Sequence, residues 1–494
     1  MIEKSIKKLI IYANRHLFLS DNDLIYAQNM LLGYFGCAAP YEGEVDVKAI
    51  EEMEVPDEIV AELTDDLIAQ GLSAGEAERK VVFALGALSP RPSAVEDAFD
   101  ELYQADPKEA TEYLYGTSVA NWYVRKTQID KNIVFDAKFD QGSDLEVSIN
   151  LSKPEKKNSD IAKLLVAKST SYPLCLLCPE NLGFYGHDRH PARGNLRYVE
   201  MELEGRTWYL QFSPYGYFDR HCILFQKEHE QMVVDHRIYA TLLAFVERFP
   251  HYFMGSNADL PIVGGSILNH EHFQGGAHIL PVMRAKEKAP FKVSNPKVQG
   301  AVLDFYDTTL VLKSLDKEEL LSVADKILAC WRGYDDEENE ILHGDASTCH
   351  NTITAIARKV GDEFRLYMIL RNNRCDSRYP DGIFHVHPER SHIKSEGIGL
   401  IEASGLFILP ARLKRQGAEV EDVIANGLSH EEALAKYPDI EPFFPMIEEM
   451  KTKKLSLHDY LGSVCQNILH DVAVFKDNER GRAGLAKFLE VCDL

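Results

Sequence analysis

The 494-residue sequence lacks any run of about 18 apolar residues, the length a membrane-spanning helix needs. Its most apolar stretch, 397–411, is short and carries Glu402. It lacks an excess of cations: 54 Lys and Arg face 77 Asp and Glu, a formal net charge of −23. Too few cations are left to displace counterions from a polyanion, so neither nucleic acid nor a membrane surface is an expected partner. The opening Met-Ile-Glu-Lys-Ser-Ile-Lys-Lys leads into only a brief apolar stretch before Asn14 and Arg15, which is not a secretory leader pattern. The nine cysteines are an odd, scattered set in a long chain, so a disulfide framework is not expected. Reduced thiols or a metal site in the cytoplasm fit them better. No internal repeat is evident. What is present is ordinary globular composition, 45% hydrophobic and 27% charged, long enough at roughly 150 residues per domain for two or three folded units.

The texture changes along the chain. Residues 1–130 read as helical: Ser73 with Glu76 and Ser93 with Glu96 have capping-box spacing, and Asp106-Pro107 is a cap followed by proline. Residues 131–300 turn strand-rich. The segment 145–151 alternates, 198–203 and 207–212 read as a hairpin, 221–225 begins another strand, and 234–247 reads as a helix. In 301–415 strand patterns, including 352–387, follow a helix at 316–331. The tail, 416–494, returns to helices, with capping-box spacing at Ser429 and Glu432. The order predicts an α+β protein with antiparallel sheets, flanking helices and the chemistry in the middle.

The most informative stretch is Pro261-Ile-Val-Gly-Gly-Ser-Ile-Leu-Asn-His-Glu-His-Phe-Gln-Gly-Gly276. On a strand, His270, His272 and Gln274 point to one face, since side chains alternate with period two. The flanking glycines let backbone amides approach phosphate oxygens. A neutral imidazole can attack phosphorus and leave again, and an amide can donate to a phosphoryl oxygen. The alternatives are histidines satisfied within a sheet, or two metal ligands. Separately, Cys175-Leu-Leu-Cys178 has zinc-ligand spacing. His385 and His387 would share a strand face, as chelation needs, although ordinary strand histidines fit as well. Glu402 lies in an apolar run, where a carboxylate requires a partner such as a hydroxyl or an arginine, a buried structural salt bridge being the alternative. Lys394 is near enough in sequence to meet a phosphate.

His270-Glu-His-Phe-Gln274 resembles the His-x-His-x-Gln motif of galactose-1-phosphate uridylyltransferases, the transferase branch of the histidine-triad superfamily. Ser213-Pro-Tyr-Gly-Tyr-Phe-Asp-Arg-His221 and the run to His229 resemble the strand pair before that motif, and the helical N-terminus resembles the bacterial second class. The better-known class has proline where this chain has Glu271. The resemblance implies histidine-triad-like halves at 131–300 and 301–415. It implies double displacement: UMP passes from UDP-glucose to His272, glucose 1-phosphate leaves, and galactose 1-phosphate takes the UMP. Gln274 would stabilise the phosphoryl oxygens, with Asn257, Gly265 and Ser266 as phosphate contacts and Glu402 on the sugar hydroxyls. Lys153 and Lys156 would lie in an early basic loop where the family uses arginines for phosphate.

By the same resemblance, Cys175, Cys178, His229 and His270 form a structural zinc site, and Glu287, His350, His385 and His387 a second site for iron or zinc. No organic cofactor is implied, and a homodimer is. The competing readings are another histidine-triad phosphorylase or hydrolase, and a non-enzymatic sugar-nucleotide binding protein. Gln274 at the third motif position argues against the hydrolases, and only the enzymes need His272.

Overall fold

The computed structural model describes residues 1–140, 142–152, 172–265, 267–345 and 348–493. It divides into two compact units, Met1–Lys131 with Pro154–His229, and Asn132–Lys153 with Glu230–Leu494. The described strands are β1 (Ile133–Ala137), β2 (Leu145–Asn150), β3 (Val199–Leu203), β4 (Arg206–Phe212), β5 (Cys222–Gln226), β6 (Phe253–Ser256) and β7 (His272–Gly276). They continue with β8 (Glu287–Phe291), β9 (Gln299–Leu303), β10 (Thr309–Ser314), β11 (Asn351–Val360), β12 (Glu363–Asn372) and β13 (Leu406–Pro410).

In the first unit, helices Ile2–His16, Asp57–Ala69 and Ala74–Leu88 share a core that includes Ile6, Leu9, Leu63, Val81 and Leu85. Burying each such side chain contributes about 1.5–3 kcal/mol. The capping box at Ser73 and Glu76 forms as the spacing predicts. The one predicted at Ser93 does not. Pro92 takes the first helical position of Pro92–Ala105, which moves the cap to Arg91 and puts Ser93 inside the helix. Glu96 instead accepts the Glu200 backbone N–H at 2.8 Å. Asp106 caps Pro107–Ala120 by accepting from the Lys108 N–H. β3, β4 and β5 form an antiparallel meander.

The second unit carries seven antiparallel strands in the order β7-β6-β11-β12-β10-β9-β8. Helix His236–Arg248, capped by Asp235, packs on β6 and β11, and helix Lys317–Arg332, capped by Asp316, packs across β10 to β12. A smaller sheet has the order β1-β2-β13, with β13 parallel to β2. The apolar run read from sequence therefore becomes helix Leu400–Ala403 and β13, a strand buried enough to lose alternation. Helices from Arg412–Asn426 to Glu479–Val491 complete the unit. Among the described residues no helix is long and apolar enough to cross a membrane.

Candidate active site

β7 begins at His272, so His272 and Gln274 share a strand face but His270 does not join them by strand alternation. His270 closes the preceding loop, where Met232 and Glu271 donate backbone N–H groups to the Leu268 and Glu230 carbonyls at 2.9 and 2.8 Å. Tertiary pairing with the 230–232 segment thus overrides the local alternation pattern. On the other side β7 pairs with β6, setting Gln274 opposite Gly255. A Cβ on Gly275 would run into the Phe253 carbonyl, so the strands approach this closely only with glycine there.

The placement decides the chemistry of His272. Its Nδ1 lies 2.8 Å from the His270 carbonyl oxygen, and a carbonyl can only accept, so Nδ1 carries the proton and Nε2 the lone pair. Burial pushes the imidazole down to about 4, against the smaller pull of that hydrogen bond. At neutral pH the ring is therefore uncharged, with one oriented nucleophilic nitrogen.

Asn257 follows β6 directly, and its Oδ1 accepts the Leu400 N–H at 2.8 Å. A Cβ on Gly265 would come within 2.7 Å of the Asn257 Nδ2, so the Gly264-Gly265 turn lies against that amide. Ser266 lies outside the described residues, as do Lys153 and Lys156. Sequence reasoning missed the anchor of this loop. Asp259, 9% exposed, accepts from the Val234 N–H at 2.9 Å and from Arg332 at 2.8 Å, and also takes the Thr352 hydroxyl. Nothing in the local pattern marks Asp259, because its partners lie up to 93 residues away.

Glu402 has the partner its burial demands, but it is a lysine. Lys394, 2% exposed, reaches Glu402 at 3.1 Å, Glu396 at 3.0 Å and the Ile408 carbonyl at 3.1 Å. Burial pulls its ammonium down, yet Glu402 and Glu396 outweigh that and hold it above its ordinary value. Lys394 is therefore committed to orienting Glu402 rather than to a phosphate. Lys394→Met is expected to leave a half-buried carboxylate, 12% exposed, without its ion pair and to lower stability by about 1–3 kcal/mol, read as a fall in the urea midpoint. An unchanged midpoint would refute the pairing.

Cys175, Cys178 and His229 converge in the first unit. The two sulfurs are 3.5 Å apart and Cys178 Sγ is 3.1 Å from His229 Nδ1. Tetrahedral zinc with bonds of about 2.3 Å spaces two thiolates roughly 3.7 Å apart, so the donors fit that ion. The turn is built for sulfur ligands: Leu177 N–H donates to Cys175 Sγ at 3.3 Å. Asn181 donates to the Cys175 and Cys178 carbonyls at 2.9 and 2.8 Å and is itself held by His190 at 2.6 Å. Burial, with Cys175 beside it, pushes the Cys178 thiol up to about 12. A thiolate there calls for a cation.

The second expected metal set is not brought together. Glu287 is exposed on β8 and paired with Lys313. His385 and His387 lie beyond β12 in irregular chain, because that strand ends at Asn372. His385 accepts from the Ile398 N–H at 3.2 Å. His387 meets the Ile383 carbonyl at 3.0 Å and Asp471 at 3.3 Å, and stacks on Tyr379. His350 bonds Asn373 at 2.8 Å. Among the described residues these four side chains do not form a donor group, and His385 Nδ1 is buried without a hydrogen-bond partner.

The family model for the N-terminal domain of galactose-1-phosphate uridyl transferase matches residues 73–231, and that for the C-terminal domain matches 245–436. With the oriented imidazole of His272, they define a nucleotidyltransferase. A curated galactose-1-phosphate uridylyltransferase of Clostridium acetobutylicum is 39% identical over 99% of this chain and 100% of its own. That of Caldanaerobacter subterraneus subsp. tengcongensis is 39% identical over 98% of this chain and 97% of its own, and that of Fusobacterium nucleatum 37% over 98% and 97%. The chain belongs to the galactose-1-phosphate uridylyltransferase family.

Proposed function

We propose that the protein transfers UMP from UDP-glucose to galactose 1-phosphate through a uridylyl-histidine on His272. The observation that supports this most is the His272 tautomer, neutral by burial and with Nε2 as its lone-pair nitrogen. Nε2 attacks the α-phosphorus, the bond to the bridging oxygen breaks, and glucose 1-phosphate leaves with the electron pair. The charge gained by the ring is stabilised at Nδ1–H by the His270 carbonyl. A phosphate oxygen of galactose 1-phosphate then attacks the same phosphorus, frees His272 and forms UDP-galactose.

Gln274 donates to the phosphoryl oxygens as they gain charge. Asn257, Gly265 and Ser266 hold the phosphates, Lys153 and Lys156 add positive charge, and Glu402, steadied by Lys394, accepts from sugar hydroxyls. Zinc held by Cys175, Cys178 and His229, with His270 as fourth ligand, would be closed to substrate. The resemblance carries His270 into this set, and the three donors of the first unit support it. The expected assembly is a cytoplasmic homodimer.

UDP-glucose labelled in the α-phosphate is expected to leave about one acid-labile, base-stable label per chain. Galactose 1-phosphate should then chase it into UDP-galactose. UMP released to water as the main product would favour a hydrolase and overturn the reading, as would binding without label.

A further inference from the structure

Ile398-Gly-Leu-Ile-Glu402 leads into helix Leu400–Ala403, and side chains from three places in the second unit hold it. Asn257, just after β6, accepts the Leu400 N–H at 2.8 Å, and His385 Nε2 accepts the Ile398 N–H at 3.2 Å. The third is Arg371, next to last on β12, which donates from one terminal nitrogen to the Ile398 carbonyl at 2.7 Å. Its other terminal nitrogen donates to the Thr354 hydroxyl on β11 at 3.3 Å. The guanidinium therefore ties the turn to two central strands of the sheet.

Held in this way, the turn lies close against the 257–265 segment. A Cβ on Gly399 would come within 3.0 Å of Asn257 Oδ1, and one on Gly397 within 3.3 Å of the Ile262 carbonyl oxygen. The residue proposed to meet sugar hydroxyls and those proposed to meet phosphates thus sit on adjoining backbone.

Arg371 is 0% exposed, and its Nε has no hydrogen-bond partner. A guanidinium so placed is a poor device for stability alone, because an apolar side chain would pack there without the cost of desolvating a charge. What it adds is geometry, a rigid planar fork that can span strand and turn at once. Burial pulls it down to about 10, against the charges of Asp307 and Glu402, so it remains a cation at neutral pH. Glu402 thus lies in the field of a second cation besides Lys394.

We infer that Arg371 is a positioning residue for the hexose, fixing the Ile398 carbonyl and so holding the Glu402 carboxylate where a sugar hydroxyl meets it. The inference rests on the uridylyl-transfer reading, in which Glu402 accepts from those hydroxyls. Being fully buried, Arg371 acts through the turn and not on the substrate.

The test is steady-state kinetics of the full chain with Arg371→Met, which removes the fork and keeps an apolar stem. KM for galactose 1-phosphate is expected to rise at least about tenfold. UDP, which carries the nucleotide and both phosphates but no hexose, should inhibit with a constant within about threefold of wild type. A merely loosened fold would leave fewer active chains, lowering kcat and leaving KM unchanged. Arg371→Lys keeps the charge without the fork and should still raise KM at least about threefold, which decides the matter if the Met variant does not fold. An unchanged KM in a folded variant, or UDP weakened as much as galactose 1-phosphate, would overturn the inference. A wild type without transfer would instead overturn the uridylyl-transfer reading itself.

Discussion

His272→Ala is expected to lower uridylyl transfer by at least about 10⁴-fold, the order found when a covalent nucleophile is removed. Nε2 of His272 is the one ring nitrogen on the β7 face that is both neutral and oriented, and Gln274 beside it cannot form the intermediate. The cost to the fold is smaller. Truncation removes a buried ring, 6% exposed, and the donor to the His270 carbonyl, a loss of about 3–5 kcal/mol. The variant should keep its circular dichroism and melt several degrees lower. It should also take up no label from α-phosphate-labelled UDP-glucose. Label retained by the variant, or activity within about tenfold of wild type, would refute the assignment.

The second large effect concerns the metal. Elemental analysis of the native protein is expected to find about one zinc per chain, and of Cys175→Ser close to none. The serine hydroxyl is a poorer ligand, and Cys178 alone, buried and held protonated, has no reason to ionise. A bound metal stabilises the folded state by about 4 kcal/mol when it is present at a thousand times its dissociation constant. Cys175→Ser and chelator-treated protein should therefore unfold at clearly lower temperature, with loss of order around 172–190 seen by hydrogen exchange. Unchanged zinc content in Cys175→Ser would refute the site. The two experiments are independent, since one reads phosphorus chemistry and the other reads metal content.

Net charge says little about either site. The −23 of the whole chain describes its surface. On the proposed reading the phosphate end rests on Gln274, Asn257, backbone amides and a few local lysines, which need no global positive field.

The features legible in the sequence are those governed by a few neighbouring residues. Ser73, Asp106 and Ser429 cap helices where the pattern predicts, because a cap requires only its own first turn. The hairpin of β3 and β4 forms around Glu204-Gly205 for the same reason. His272 and Gln274 share a face because period two is a property of any strand, and Cys175 and Cys178 meet because two intervening residues make one turn. These local rules, with the motif's resemblance, were enough to indicate the family, and they brought His272 and Gln274 onto one strand face and Cys175 beside Cys178.

Tertiary structure decided where each local pattern stops. It ended the strand between His270 and His272 by pairing the loop with 230–232, and it took His385 and His387 out of a strand altogether. It gave Glu402 a lysine, joined Asn257 to Leu400 across 143 residues and buried Asp259 against Arg332. The physical reason is common to all of these. Burial imposes the need for a partner, and which distant residue supplies it depends on how the sheets and helices close, which no short window of sequence contains.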